Sequence, residues 1–351
     1  MSGSGPGDVK KINLALQGGG AHGAFTWGVL DCFLEQSNLE IEAISGTSAG
    51  AMNAVVVAEG LMRDGRDGAR EGLRRFWQTI GNVAQFSPIQ RGPIDRFLGN
   101  WGLDYSPVFV AFDLMNRLSS PYEFNPLNIN PLKTVIEDNV DFDLVRACDQ
   151  LMVFVSATNV ETGRVKVFDR RELTADMVMA SACLPFMFQA VEIDGVPYWD
   201  GGYMGNPVLY PFYYSSSCDD IVVVQINPVE RKGAPKSARE ILDRVNEITF
   251  NGSFLRELRA IDFVGRLLEN DEINNGNYRN IRMHIVEAHE QLAALGASTK
   301  LNAEWEFLEH LHDIGRQAAE GWLTENRNHI GSKSTVDVRA MFQGIGGMEP
   351  H

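Results

Sequence analysis

Cysteine is scarce in this chain, with four residues in 351, Cys32, Cys148, Cys183 and Cys218, and no Cys-x-x-Cys pair among them. Their spacing gives no disulfide framework, and their mostly apolar or helical surroundings point to buried free thiols in a reducing compartment. Positive charge is also short: 31 Lys and Arg stand against 46 Asp and Glu, a formal net charge of −15. That balance opposes binding to nucleic acid, which needs basic surface to displace counterions, and opposes tight electrostatic attachment to anionic lipid. Any membrane contact is therefore expected to be apolar, weak and transient. Long hydrophobic runs are missing as well, none reaching the ~20 residues that span a bilayer. Residues Met1 to Lys11 are rich in Gly and Ser and lack an apolar signal core. They read as a flexible lead-in with nothing to mark it for export, so a cytoplasmic location, peripheral to membranes at most, is expected.

What is present suits an enzyme with one sizeable core. Hydrophobic residues make up 44% and charged residues 22% of the chain, ordinary values for a globular protein of one elaborated domain. The organising stretch is Gly46-Thr47-Ser48-Ala49-Gly50, between an apolar run at Ile41 to Ile44 and a helix-like run at Ala51 to Met62. A strand that turns abruptly into a helix strains the corner residue, and the turn closes only over small neighbours two positions either side. Gly46 and Gly50 are those neighbours. Ser48 at the corner sits at a helix N-terminus, where the Ala49 amide and the helix dipole favour developing negative charge. It is the candidate nucleophile.

One strand earlier, Ile12 to Leu16 runs into Gln17-Gly18-Gly19-Gly20-Ala21-His22-Gly23 and then into a helix over Ala24 to Leu34. Bare glycine amides ahead of a helix suit an anion. Two anions fit, a dinucleotide pyrophosphate, because Gly18, Gly20 and Gly23 match Gly-x-Gly-x-x-Gly, or the oxyanion formed when Ser48 attacks a carbonyl. The dinucleotide needs an acidic residue at the end of the second strand. That strand ends instead in the Ser48 turn, and Glu40 and Glu42 lie at its start.

The charged run Arg63 to Arg75 reads as a solvated face. Between Phe86 and Pro131 six prolines punctuate short apolar pieces, an insertion of the length that forms lids or binding loops; within it, Pro107 to Leu118 forms a helix pattern with Phe109, Phe112 and Met115 on one face. Leu151 to Thr158 has the character of a buried parallel strand, with a hairpin partner at Val165 to Phe168 and a helix at Asp176 to Cys183 that Pro185 stops. Asp194-Gly195 marks a tight hairpin whose second arm, Val196 to Trp199, delivers Asp200-Gly201-Gly202. Asp200 is either a turn aspartate bonding its own backbone or a general base brought close to substrate, with the apolar arm raising its pKa by desolvation. Farther on come a buried strand at Ile221 to Ile226, helices within Ser237 to Leu268, a strand at Ile281 to Val286 and a helix over Asn302 to Leu323. The tail after His329 reads as polar and loose.

In order, Gly18-Gly19-Gly20-x-x-Gly23, Gly46-Thr47-Ser48-Ala49-Gly50 and Asp200-Gly201-Gly202 with Asn206-Pro207 resemble the motifs of patatin-like phospholipases. Ser156 to Asn159 with Thr162-Gly163, and Ala180 to Pro185, resemble the family's intervening blocks. The resemblance spans about residues 12–213, with the possible lid at 86–131. It implies an α/β protein of three α/β/α layers with a mainly parallel central sheet, and hydrolysis of lipid acyl esters without metal or cofactor. By the same resemblance Ser48 is the nucleophile, Asp200 takes its proton and later activates water, and the amides of Gly18, Gly19 and Gly20 hold the oxyanion. Residues 214–351 would add the remaining strands and a mostly helical extension that covers the site or joins a homodimer. One departure is His22, where the family often carries Lys or Arg; activity should survive because backbone amides form most of the hole, with pH sensitivity added. Two alternatives stay open: an acyltransferase using the same acyl-enzyme, and a Ser-His-Asp esterase drawing on His284 or His289.

Overall fold

The computed structural model describes residues 9–273 and 278–344. Its core is an eight-stranded sheet of β1 (Lys10–Leu16), β2 (Leu39–Gly46), β3 (Met152–Asn159), β4 (Val165–Asp169), β5 (Val191–Ile193), β6 (Val196–Asp200), β7 (Asp220–Val224) and β8 (Arg282–Val286). The order is β5-β6-β3-β2-β1-β7-β8, with β4 paired to β3. The five strands β3, β2, β1, β7 and β8 run parallel, and β4 and β6 lie antiparallel to β3. Parallel strands need covered faces, and the apolar runs supply both. Leu14, Leu16, Ile44, Val153, Val155, Val222 and Val224 face one core, and Ala15, Ala43, Phe154, Ile221 and Val223 face the other.

The first face is covered by α1 (Gly23–Glu35), α2 (Ala49–Ala84) and, from late in the chain, α6 (Trp305–Asn326). The second is covered by α5 (Ala238–Glu269) through Phe254, Leu258 and Ile261. In chain order α3 (Pro107–Leu118) and α4 (Ala175–Ser181) come between α2 and α5, and α4 adds Val178 and Met179 to the core of the first face. This is the three-layer α/β/α arrangement, with the C-terminal region contributing two strands to the sheet and a helix to each face. Helices α1 and α6 cross closely because Gly28 and Gly315 meet there; a β-carbon at Gly28 would overlap the His312 carbonyl, and one at Gly315 the Phe25 carbonyl.

Residues Ala49–Ala84 are two helices meeting at Asp64 and Gly65 (φ 57°), so the helix after Ser48 ends beside Met62 as expected and a second helix folds back against it at Gly60 and Ala69. Other expectations need revision. The charged run is not simply a solvated face: Arg66 donates to the carbonyls of Gln36 and Leu39, and Arg70 to Asp31 and Glu35, clamping the turn between α1 and β2. The tail is not loose as far as it is described. Ile330 is buried, the Gly331 amide donates to Asp220, the Thr335 amide donates to the Met283 carbonyl, and a last helix, α7 (Val338–Gln343), packs on α5. The expected face of α3 is only partly buried: Phe109 is covered, whereas Met115 is exposed. The rest of the lead-in, residues 1–8, lies outside the described residues. No helix among the described residues is long and apolar enough to cross a membrane, and all four cysteines are buried and free.

Candidate active site

Everything the motifs singled out converges at the carboxyl ends of β1 and β2 and the end of β6. Ser48 occupies the corner between β2 and α2 with φ 55° and ψ −121°, a backbone region that side chains rarely enter. The corner closes on bare atoms: a β-carbon on Gly46 would stand 2.5 Å from the Gly50 carbonyl oxygen, and one on Gly50 would overlap the Leu16 carbonyl. The strain is held from several sides. The Ser48 amide donates to Ser181 Oγ at 2.8 Å, Thr47 Oγ1 donates to the Gly205 carbonyl at 2.7 Å, and it meets Ser156 Oγ at 2.7 Å.

Asp200 closes β6 and is 1% exposed. Its amide donates to the Cys183 carbonyl and its own carbonyl accepts from Thr158 Oγ1, each at 2.8 Å. Its Oδ1 accepts the Gly202 amide at 2.7 Å, so the turn-aspartate role is present too. A β-carbon on Gly201 would overlap the Ser156 carbonyl, and one on Gly202 would crowd Asp200 Oδ1 and Phe250. These two glycines let the loop lie flat between β3 and α5. Burial pushes the Asp200 carboxyl up to about 7, against the opposing pull of the Gly202 amide, the Ser48 side chain and the charge of Lys300. A carboxyl near 7 whose charged form the neighbouring Ser48 side chain favours can accept that serine's proton at neutral pH.

The glycine loop abuts the serine, since a β-carbon on Gly18 would stand 2.6 Å from Ser48 Cβ. Its three amides are not equivalent. The Gly18 amide, expected among the oxyanion donors, donates instead to Asn206 Oδ1 at 2.6 Å. Among the described residues no group accepts from the amides of Gly19, Gly20 or Ala49. Gly20 needs its positive φ of 61°, and Gly23 lets α1 meet Ala49 at the start of α2. Asn53 ties these two helix ends together, donating to the carbonyls of Gly23 and Ala49 while Trp77 Nε1 donates to its oxygen.

His22 does not add a titrating group. It is buried with Nε2 2.7 Å from Thr299 Oγ1, and burial, with the charges of Lys300 and Arg231, lowers its pKa to about 3. The expected pH sensitivity therefore has no source there. A triad through His284 is also not built: its Nε2 lies 3.0 Å from Asp220 Oδ1 and its Nδ1 3.0 Å from Thr335 Oγ1, with Asp220 at the amino end of β7. His289 opens a short helix beyond β8. Missed by sequence reasoning were Gln17, Asn53, Ser181, Asn227 and Lys300. Asn206 and Ser181 lie within the motif blocks but carry no role there, and only the polarity of Gln17 beside three glycines was a usable signal. Among the described residues no cluster of metal-ligating side chains occurs.

The chain matches the model of the patatin-like phospholipase family over residues 14–213. No curated protein matches it. Among solved structures it is similar to VipD from Legionella pneumophila, with 14% identity over 87% of this chain and 67% of that one and a TM-score of 0.35. It is also similar to ExoU in its heterodimeric complex with SpcU, from the type III secretion system of Pseudomonas aeruginosa, with 14% identity over 91% of this chain and 52% of that one and a TM-score of 0.36. The chain thus spans about half the length of that second structure, and likenesses this remote add nothing to the family match. A match over more than half the chain, taking in the glycine loop, the serine corner and the Asp-Gly-Gly turn, settles the family: this chain belongs to the patatin-like phospholipases, lipid acyl hydrolases as a family.

Proposed function

We propose that the protein is a serine hydrolase that cleaves carboxylic esters of phospholipids, lysophospholipids or related acyl lipids through a Ser48–Asp200 dyad. The observation that carries this reading is a strained serine at the strand-to-helix corner beside a buried carboxyl that burial raises to about 7. In the first half-reaction Ser48 Oγ attacks the acyl carbonyl as its proton passes to Asp200. The negative charge that appears on the carbonyl oxygen meets the amides of Gly19, Gly20 and Ala49 and the positive end of α2. Asp200 returns the proton to the departing alcohol, leaving an acyl-serine. In the second half-reaction Asp200 takes a proton from water, the hydroxyl attacks the acyl carbon, and Ser48 leaves reprotonated. Exposed Val108, Val110, Leu114 and Leu118 on α3, within the insertion at 86–131, favour a lipid-facing role for that segment.

The test is a panel of phospholipids, lysophospholipids and simple acyl esters assayed with the wild type and Ser48→Ala, with chelator in parallel. Turnover that needs Ser48 and survives chelator supports the proposal, as does covalent labelling of Ser48 by a fluorophosphonate. Equal turnover by Ser48→Ala, or loss with chelator alone, overturns it.

A further inference from the structure

Beside the glycine loop, but far beyond the residues matched by the family model, Lys300 lies in a one-turn 3-10 segment, Ala297–Leu301. Its Nζ donates to Asn227 Oδ1 at 2.8 Å. Lysine has donors only, so this contact decides which way the Asn227 amide points. The Asn227 NH2 then faces the loop and donates to the Gly18 carbonyl at 2.7 Å. The Asn227 backbone amide donates at 2.9 Å to Gln17 Oε1, which holds the preceding residue of the loop. In a trans peptide the carbonyl and the following N–H point in opposite directions. Fixing the Gly18 carbonyl on Asn227 therefore turns the Gly19 N–H away from Asn227, where it stays unused by the protein itself. The Lys300 carbonyl oxygen also lies 2.4 Å from where a β-carbon on Gly20 would be, so the same residue packs directly against the loop.

We infer that Lys300 is a positioning residue for ester hydrolysis: through Asn227 it sets the Gly18–Gly19 peptide so that the Gly19 amide faces the oxyanion, and it leaves a positive charge behind the loop. The inference rests on the hydrolase reading above. Without Lys300 the Asn227 side chain is free to turn its oxygen toward the Gly18 carbonyl, two acceptors repel, and the peptide loses its fixed direction. The charge of Lys300 is felt across the site, since it pulls down both Asp200 and His22, and burial in turn lowers its own pKa. The catalytic centre is thereby completed by a segment of the C-terminal region.

The experiment compares wild type, Ser48→Ala, Lys300→Met, Lys300→Arg and Asn227→Asp, using a short-chain p-nitrophenyl ester and a fluorophosphonate probe, with melting curves for each. Removing one oxyanion donor costs ~10²–10³ in kcat; misdirecting one should cost about 10- to 100-fold. Lys300→Met is expected to lower kcat by that factor with KM within about twofold, and to slow labelling of Ser48 equally. Lys300→Arg, which still donates to Asn227, should recover much of the rate. Asn227→Asp keeps a partner for Lys300 but has no donor for Gly18, so it should lose rate like Lys300→Met; it decides the matter if Lys300→Met does not fold. Wild-type kcat in Lys300→Met, or in Asn227→Asp, overturns the inference while leaving the dyad standing. Absence of Ser48-dependent turnover and labelling in the wild type overturns both.

Discussion

Replacing Asp200 by Asn should make the protein more stable in alkali while abolishing turnover. The side chains are isosteric, the Asn oxygen can still accept the Gly202 amide that now reaches Oδ1 at 2.7 Å, and the new NH2 group can donate to the Ser48 hydroxyl. What changes is the titration. In the folded protein Asp200 protonates near 7, whereas the ordinary value is 3.8. Between those values the native state keeps a proton that the unfolded chain releases, so the stability this proton contributes falls as pH rises through the window, and that contribution is gone above about 7. At about 1.4 kcal/mol per pH unit the displacement amounts to up to about 4 kcal/mol, a large share of the ~5–15 kcal/mol that holds a domain together. Half-buried Glu257, also pushed up to about 7, gives the wild type a second slope of the same sign. The comparison with Asp200→Asn removes it, because Glu257 is present in both. Urea unfolding at pH 4.5 and pH 8 is the assay. The variant should match the wild type closely at the lower pH and exceed it at the higher, while kcat/KM of the wild type rises through about pH 7. Parallel pH dependences in the two proteins would refute the claim that burial holds this carboxyl high.

Two other substitutions probe geometry rather than charge. Gly28→Ala places a methyl group into the His312 carbonyl, forcing α1 and α6 apart; a loss of about 1–3 kcal/mol is expected, and an unchanged melting temperature would contradict the close crossing. Ser48→Gly relieves the φ of 55° that Ser48→Ala retains. The glycine variant should therefore unfold about 1 kcal/mol later than the alanine variant, with neither labelled by fluorophosphonate; equal stability would mean that the corner stores no strain.

How far the site can be read from sequence depends on whether its causes are local. The serine corner is local: strand, Gly46, Ser48, Gly50 and helix are contiguous, and the backbone angle they force follows from their order. The hairpin that delivers Asp200 is local too, with Asp194 and Gly195 at φ 52° and 77° as a tight turn demands. The strands of the sheet announce themselves as apolar runs because both their faces are buried. Failures occur where a residue's job is set by something distant. Arg66 and Arg70 belong to a charged run with the pattern of a solvated face, and only the return of the chain puts the carbonyls of Gln36 and Leu39 and the carboxylates of Asp31 and Glu35 within their reach. The tail after His329 is polar because its hydroxyls and amides bond to the edge of β8 and to Asp220, not because it is solvated.

The glycine loop combines both kinds of cause. Glycine permits its backbone to take many directions, so composition alone cannot say which amide is free. That choice is made by Asn206, Asn227 and Lys300, which take the Gly18 amide, take the Gly18 carbonyl and orient the asparagine that does so. They lie 188, 209 and 282 positions from Gly18, and of the three only Asn206 stands in a motif, one that says nothing of the Gly18 amide. A loop of three glycines is therefore an incomplete specification, and the functional geometry belongs to the residues that restrain it. Grafting Gly18 to Gly23 with the Ser48 corner into a sheet lacking those three partners should reproduce the strained serine but not a directed Gly19 amide. The C-terminal region is in that sense part of the candidate site.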